Sequence, residues 1–264
     1  FRSGGTRLQA TMLLVGAALA LAAFIAWQRR QLDRGGAPLM NLALFSHRRF
    51  AMGSTVAFIY GTALFGSTYL FPVYMQSALQ MSASLVGTLL LPAGLVLAVA
   101  MAVVGRMADR HPTWLLVSAG LAMLAASFAL MFTIGLPASL WLLLCWAILG
   151  RIGLGFILPS LNLGSMRGLH HALIPQGSSV INFVRMLGGA AGVSLCGIFL
   201  EWRLAAHGAP LDASPTTPAR LAAFDETFLM LAAICALALL AAARLKPPGP
   251  AEPPSPPERH TARG

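Results

Sequence analysis

The chain has 264 residues, of which 57% are hydrophobic and only 10% are charged. An ordinary soluble domain carries about 25% charged residues. The mean hydropathy of the chain is +0.75, which means more apolar side chains than a single soluble core could bury. The composition therefore excludes a soluble domain and predicts a membrane protein. A net charge of +10 would suggest nucleic acid in a soluble protein, but here the basic residues separate apolar runs. This pattern favours the lipid bilayer as partner and no nucleic acid.

The N-terminal part of the chain predicts one membrane span and a basic linker. The sequence begins with Phe1 without a recognisable signal peptide, so we expect an N-terminal part to be missing. Residues 10–27 are apolar and end in Trp27, followed by a polar residue and two arginines, which is typical of an interfacial anchor. Residues 29–50 form a basic linker, whose apolar patch at residues 39–45 we expect to lie along the membrane surface.

The second predicted span, residues 51–75, is the most polar one. It contains several serine and threonine hydroxyls together with Tyr60 and Tyr69, and Gln76 follows it. The hydroxyls could bond to their own helix or a neighbouring one, at about 0.6 kcal/mol each. Alternatively, the helix faces a cavity. The number of polar groups favours the cavity.

Two uncharged runs, residues 85–104 and 114–133, form the third and fourth predicted spans. About 20 apolar residues cross a hydrocarbon core of about 30 Å. The short connection between them contains Gly105, Asp109 and Arg110 and is too charged for hydrocarbon. It therefore lies in water or among headgroups, and its arginines indicate the cytoplasmic side.

The fifth predicted span, residues 140–161, carries Arg151 near its centre. Snorkelling cannot fully cover about 15 Å of helix on either side, and a central arginine costs about 2.5–3.5 kcal/mol on insertion scales. An arginine there either pairs with backbone carbonyls for packing or serves a function. An intramembrane charge is by default a functional hypothesis, so Arg151 is the strongest candidate for a transport role.

The sixth predicted span, residues 177–200, carries Asn182 and Arg185 in its first half and closely spaced glycines in its second half. Arg185 lies about 12 Å from the end of the span, so snorkelling and a function are equally good interpretations. Gly188 and Gly192 have the spacing that lets two helices approach closely.

The C-terminal part of the chain predicts a loop, a last span and a tail. We expect a loop over residues 201–226, a seventh span over residues 227–243, and a disordered proline-rich tail. The predicted domains are an extra helix with its linker, a six-helix bundle and the tail, over residues 1–50, 51–245 and 246–264.

The distribution of basic residues predicts the orientation. Counted from the hairpin, twelve arginines and lysines outside the spans fall on one side and four on the other. The positive-inside rule therefore places the C-terminus in the cytoplasm and residue 1 outside.

Four segments of the chain, taken together, resemble one family. They are PLMNLALF (residues 38–45), GRMADR (105–110), GRIGLG (150–155) and NFVRMLGG (182–189). In this order they resemble the C-terminal half of a fourteen-span drug:proton antiporter of the major facilitator superfamily. The family's hairpin usually continues after Asp-Arg with a glycine and a basic pair, whereas here His111 and Pro112 follow.

The resemblance implies an all-α bundle in a bacterial inner membrane that exports amphipathic small molecules in exchange for protons. By family architecture, the second and fifth spans line the cavity, the third and sixth face an N-terminal half, and the fourth and seventh are peripheral. Its partners would be the substrate, protons, the bilayer, the missing N-terminal half and, as an option, a periplasmic adaptor. The translocation-pathway candidates are Tyr60, Tyr69, Gln76, Arg151, Asn182 and Arg185, and the gating-loop candidates are Gly105, Asp109 and Arg110.

Two other classes of protein compete with a transporter. A retinal protein is excluded because the only lysine, Lys246, lies in the tail. A seven-span receptor or scaffold that binds proteins remains the alternative. No catalytic motif, metal-ligand spacing or cofactor motif is recognisable, so we expect neither an enzyme nor a bound metal or cofactor.

Overall fold

Nearly all described residues of the chain are helical. The computed structural model describes residues 42–134, 139–166, 170, 173–209 and 217–243, with scattered helical positions between residues 12 and 30. The first predicted span and the proline-rich tail lie largely outside these residues. Six of the described helices are long and apolar enough to cross a membrane, so the predicted all-α membrane fold is confirmed.

Six helices follow one another from the linker to the tail. They are α1 (Arg48–Val73), α2 (Ala83–Met107), α3 (Thr113–Met131), α4 (Leu140–Met166), α5 (Ile174–Ala206) and α6 (Pro218–Ala243). They correspond to the second to seventh predicted spans. A 3₁₀ turn, Leu42–Ser46, precedes α1, and a π-helical turn, Tyr74–Ala78, extends it. Leu44 of the 3₁₀ turn is buried, so part of the apolar patch packs on the bundle.

The predicted loop over residues 201–226 is wrong at both ends. Helix α5 continues to Ala206, and α6 begins at Pro218. The start of α6 has ordinary helix signals, since the hydroxyl of Thr217 accepts a hydrogen bond from the backbone N–H of Arg220 and proline follows as first residue. Helix α4 likewise continues to Met166, beyond the predicted end of its span.

The predicted close approach at Gly188 and Gly192 is confirmed. A Cβ on Gly188 would overlap the backbone of Phe58, and one on Gly192 would overlap that of Thr62. The Thr62 hydroxyl donates to the Gly188 carbonyl across the two helices at 3.0 Å. Glycines therefore bring the backbones of α1 and α5 together, as in other small-residue helix interfaces.

A second pair of helices, α3 and α4, packs in the same way. A Cβ on Gly120 would lie 2.7 Å from the carbonyl oxygen of Gly153, and the Ser127 hydroxyl donates to the Trp146 carbonyl at 2.7 Å. Helix α2 is the least buried of the six helices, followed by α5. The bundle is therefore tightest between α1 and α5 and between α3 and α4.

Candidate functional site

Tyr60 lies near two other predicted site residues, each on a different helix, close to the middle of the bundle. Tyr60 of α1 lies within electrostatic range of both Arg151 of α4 and Arg185 of α5. The Arg185 guanidinium donates a hydrogen bond to the side-chain carbonyl of Asn182 at 2.5 Å. We call these four residues the mid-depth cluster.

The helix bounds explain why these residues lie at a similar depth. Tyr60 is the thirteenth residue of α1, and Arg185 is the twelfth residue of α5. At 1.5 Å per residue, each lies about 17 Å from the start of its helix. The glycine contacts between α1 and α5 set this register, since a Cβ on Gly61 would overlap the Arg185 carbonyl.

The charge of the mid-depth cluster is not balanced within the described part of the chain. Arg151 is half-buried and forms no hydrogen bond or ion pair with another described residue. Arg185 is also half-buried, and its described side-chain partner is the neutral Asn182. Two guanidinium groups next to one phenol can therefore attract an anionic group or hold a polar solute by hydrogen bonds.

Space for a ligand lies next to this cluster, between α4 and α5. A cavity of ≈ 420 Å³ is lined by Asn182, Arg185, Ser178, Ser179 and Asn162, among others. Tyr60 does not face an open surface, because only 1% of it is exposed. The accessible part of the mid-depth cluster is thus the side of α5 that carries Asn182.

Four hydroxyl groups of α1 bond within the bundle, so they do not by themselves indicate a cavity, and the cavity-facing role of α1 stays a prediction. Thr55, Thr62, Ser67 and Thr68 each donate to a carbonyl three or four residues earlier in the helix. Thr62 also bonds to α5. These contacts agree with the packing interpretation, in which hydroxyls satisfy the helix or its neighbour.

Two predicted pathway residues lie apart from the mid-depth cluster. Tyr69 is nine residues further along α1, which is about 13 Å, and its hydroxyl lies 3.8 Å from the Cβ position of Gly197. Gln76 is exposed in the π-helical turn at the far end of the same helix. Tyr69 and Gln76 can belong to the same translocation pathway as the mid-depth cluster only if that pathway runs along α1.

The predicted gating residues lie at the end of the bundle opposite to Gln76. Gly105 is in the last turn of α2, and Asp109 and Arg110 are exposed in the connection to α3. A cavity of ≈ 500 Å³ is lined by Asp109, Arg110 and the neighbouring His111. Asp109 forms no ion pair with a described basic residue.

The sequence did not predict a second group of charged residues. Arg203 of α5 forms a bidentate ion pair with Glu226 of α6, and His207 Nε2 lies 3.4 Å from both carboxylate oxygens. We call these three residues the end cluster. The neighbouring Asp225 has one buried carboxylate oxygen that forms no hydrogen bond with any residue that the structure describes. The N-cap signal at Thr217 and Pro218 would have revealed that both acids belong to a helix.

A bundle of membrane-spanning helices with an unbalanced polar cluster at mid-depth is typical of a membrane transport protein. The family model of the Major Facilitator Superfamily matches residues 4–193. The chain therefore belongs to the major facilitator superfamily.

Curated relatives of the chain include proteins named for drug resistance. A multidrug resistance protein B homolog of Mycobacterium tuberculosis is 30% identical over 195 residues, which cover 72% of this chain and 35% of that protein. The lincomycin resistance protein LmrB of Bacillus subtilis is 30% identical over 60% of this chain and 33% of that protein. The colistin resistance protein EmrB of Acinetobacter baumannii is 26% identical over 68% of this chain and 35% of that protein.

The chain spans about a third of the length of these relatives. Membership of the superfamily agrees with the six helices that could cross a membrane and does not favour a receptor or scaffold.

Proposed function

We propose that the chain is part of a proton-coupled permease that exports amphipathic small molecules, drugs included, across a bacterial inner membrane. The family match and the names of the relatives support this proposal. In it, residues 51–245 act as the C-terminal bundle and work with an N-terminal half by alternating access. The protein is then a transporter and not an enzyme, and its substrates are small molecules and protons.

The proposed orientation has the C-terminus in the cytoplasm. Arg48 and Arg49 at the start of α1 and Arg106 and Arg110 near the hairpin lie at one end of the bundle by chain alternation. The positive-inside rule assigns this end to the cytoplasm. The end cluster then lies at the outer end of the bundle, the side of the membrane from which a periplasmic adaptor would approach.

The observation that carries the proposed function is the unpartnered Arg151. A guanidinium in the middle of a spanning helix costs free energy that a leucine would not, and within the described residues no carboxylate pairs with it. We infer that its partner is the substrate or a proton-carrying carboxylate of the N-terminal half. The remaining pathway candidates are Tyr60, Tyr69, Gln76, Asn182 and Arg185, with Gly105, Asp109 and Arg110 as gating residues.

The decisive experiment measures export of a fluorescent cation by the whole transporter, together with its amount in the membrane. Arg151→Met should reduce export at least about tenfold at a normal protein level, because a midplane interaction of about 1.4 kcal/mol or more is lost. Arg151→Lys should restore little if bidentate geometry matters. Arg203→Met is the matched control and should keep most of the export. A well-folded Arg151→Met variant with normal export would remove Arg151 from the pathway.

A further inference from the structure

A third cavity lies at the end of the bundle that carries Arg49, among α1, α3, α4 and α6. Its volume is ≈ 290 Å³, close to the lower end of the range for small-molecule sites. None of the residues discussed above for transport lines it. We propose that this cavity binds the phosphate-bearing headgroup of an anionic phospholipid. The proposal does not depend on the proposed transport function.

The first reason is the positive character of the cavity. Arg49 is exposed and is the one charged residue among the described residues that line the cavity. The N-terminus of α3 contributes Thr113 and Trp114 to the lining, and the N-cap residue Pro112 has no side chain that could cap the helix. A helix N-terminus carries a partial positive charge and binds phosphate groups.

The second reason is a pair of buried hydroxyl groups for which the described part of the chain supplies no partner. Ser160 is 0% exposed and Ser165 is 3% exposed, and both line the cavity from α4. Neither hydroxyl oxygen has a hydrogen-bond partner among the described residues. A buried hydroxyl without a partner costs free energy, which a bound acceptor such as a phosphate oxygen would recover.

The remaining lining residues favour a lipid over free phosphate. Val56, Val117, Leu161 and Ala242 supply apolar walls between the helices. Trp114 has the chemistry of residues that lie at headgroup level. Basic pockets between membrane helices bind the headgroups of anionic lipids, with the acyl chains along the apolar surface.

The test uses the whole chain, purified and delipidated in detergent. Native mass spectrometry and thermal unfolding are followed with phosphatidylglycerol, with zwitterionic phosphatidylcholine and with inorganic phosphate. We expect phosphatidylglycerol to bind and to raise the unfolding temperature, whereas the other two do so much less. Equal stabilisation by inorganic phosphate would overturn the assignment to a lipid, and no preference for phosphatidylglycerol over phosphatidylcholine would overturn the site.

Matched variants separate the cavity from general surface charge. Arg49→Gln should weaken phosphatidylglycerol binding about fivefold, whereas Arg48→Gln, the adjacent exposed arginine outside the lining, should change it less than about twofold. Ser160→Ala with Ser165→Ala should also weaken binding about fivefold and leave the lipid-free protein at least as stable. Equal losses for both arginine variants, or unchanged binding by the serine variant, would overturn the proposal.

Discussion

The two charged clusters differ in how their arginines are balanced. In the end cluster, Arg203 has a carboxylate from the next helix and a histidine beside it. In the mid-depth cluster, Arg151 and Arg185 both lie within electrostatic range of the Tyr60 phenol, Arg185 bonds to the Asn182 amide, and no described carboxylate pairs with either arginine. A charge that is neutralised within the chain can be explained by stability alone. A charge at mid-depth of a membrane bundle that is not neutralised favours a partner from outside the described residues, which is why the mid-depth cluster, and not the end cluster, indicates transport.

The largest effect is expected when the mid-depth cluster receives a carboxylate of its own, which removes the difference in charge balance between the two clusters. Tyr60→Glu would place an acid within electrostatic range of both guanidinium groups and occupy them. We expect export to fall at least about tenfold, because the arginines would no longer be available to an external partner. The measurement is export of a fluorescent cation at equal protein level.

Tyr60→Gln is the control for this variant, because it has a similar size and no charge. It should retain more export than Tyr60→Glu. If both variants lose export equally, the effect comes from the lost phenol, and the proposed role of unbalanced charge is wrong.

A smaller effect is expected in the rate at which a thiol reagent reaches the cavity next to the mid-depth cluster, compared with a surface that faces lipid. After replacement of Cys145, Cys196 and Cys235, a cysteine at Asn182 should react with a hydrophilic thiol reagent several-fold faster than one at Leu237. Leu237 is 67% exposed but lies on an apolar helix that we expect to face lipid. Substrate should slow the reaction at Asn182. Equal rates at the two positions, with no protection, would mean that the cluster does not face a water-filled path.

The smallest effect is expected at the end cluster. Glu226→Gln should lower the unfolding temperature by only about 2 °C and leave export unchanged, because both partners are partly exposed. A double-mutant cycle with Arg203→Gln, measured by thermal unfolding, would report the coupling between the two side chains. Loss of export in Glu226→Gln would show that the end cluster takes part in transport.

The sequence predicted the helices better than their ends or their contacts. Long apolar runs identify spanning helices because hydrocarbon admits few other structures. The stretch from residue 201 to 226 was missed because helix ends in water need no apolar pattern. Its helical parts are stabilised by contacts across helices, such as that between Arg203 and Glu226, which are not visible in a linear pattern.

The sequence identified individual candidate residues of the site but not which of them lie close together. Arg151 and Arg185 stand out in apolar runs, and the structure places both near Tyr60. Nothing in the spacing distinguished Tyr60 from Tyr69, because rotation about the helix and the register against α5 decide which tyrosine meets the arginines. The glycine contacts fix that register only in three dimensions.

The π-helical turn at the end of α1 has a consequence for tolerance to changes in chain length. The N–H of Leu79 donates to the Tyr74 carbonyl, five residues earlier, so the turn holds one residue more than an α-helical turn. We therefore expect that deletion of one residue within Tyr74–Ala78 converts the turn to an α-helical one and leaves Tyr60 and the residues after the turn in place. Arg220 donates to the Ser77 carbonyl and ties this adjustable segment to the start of α6. The end of α1 should thus tolerate a change in chain length while it stays attached to α6.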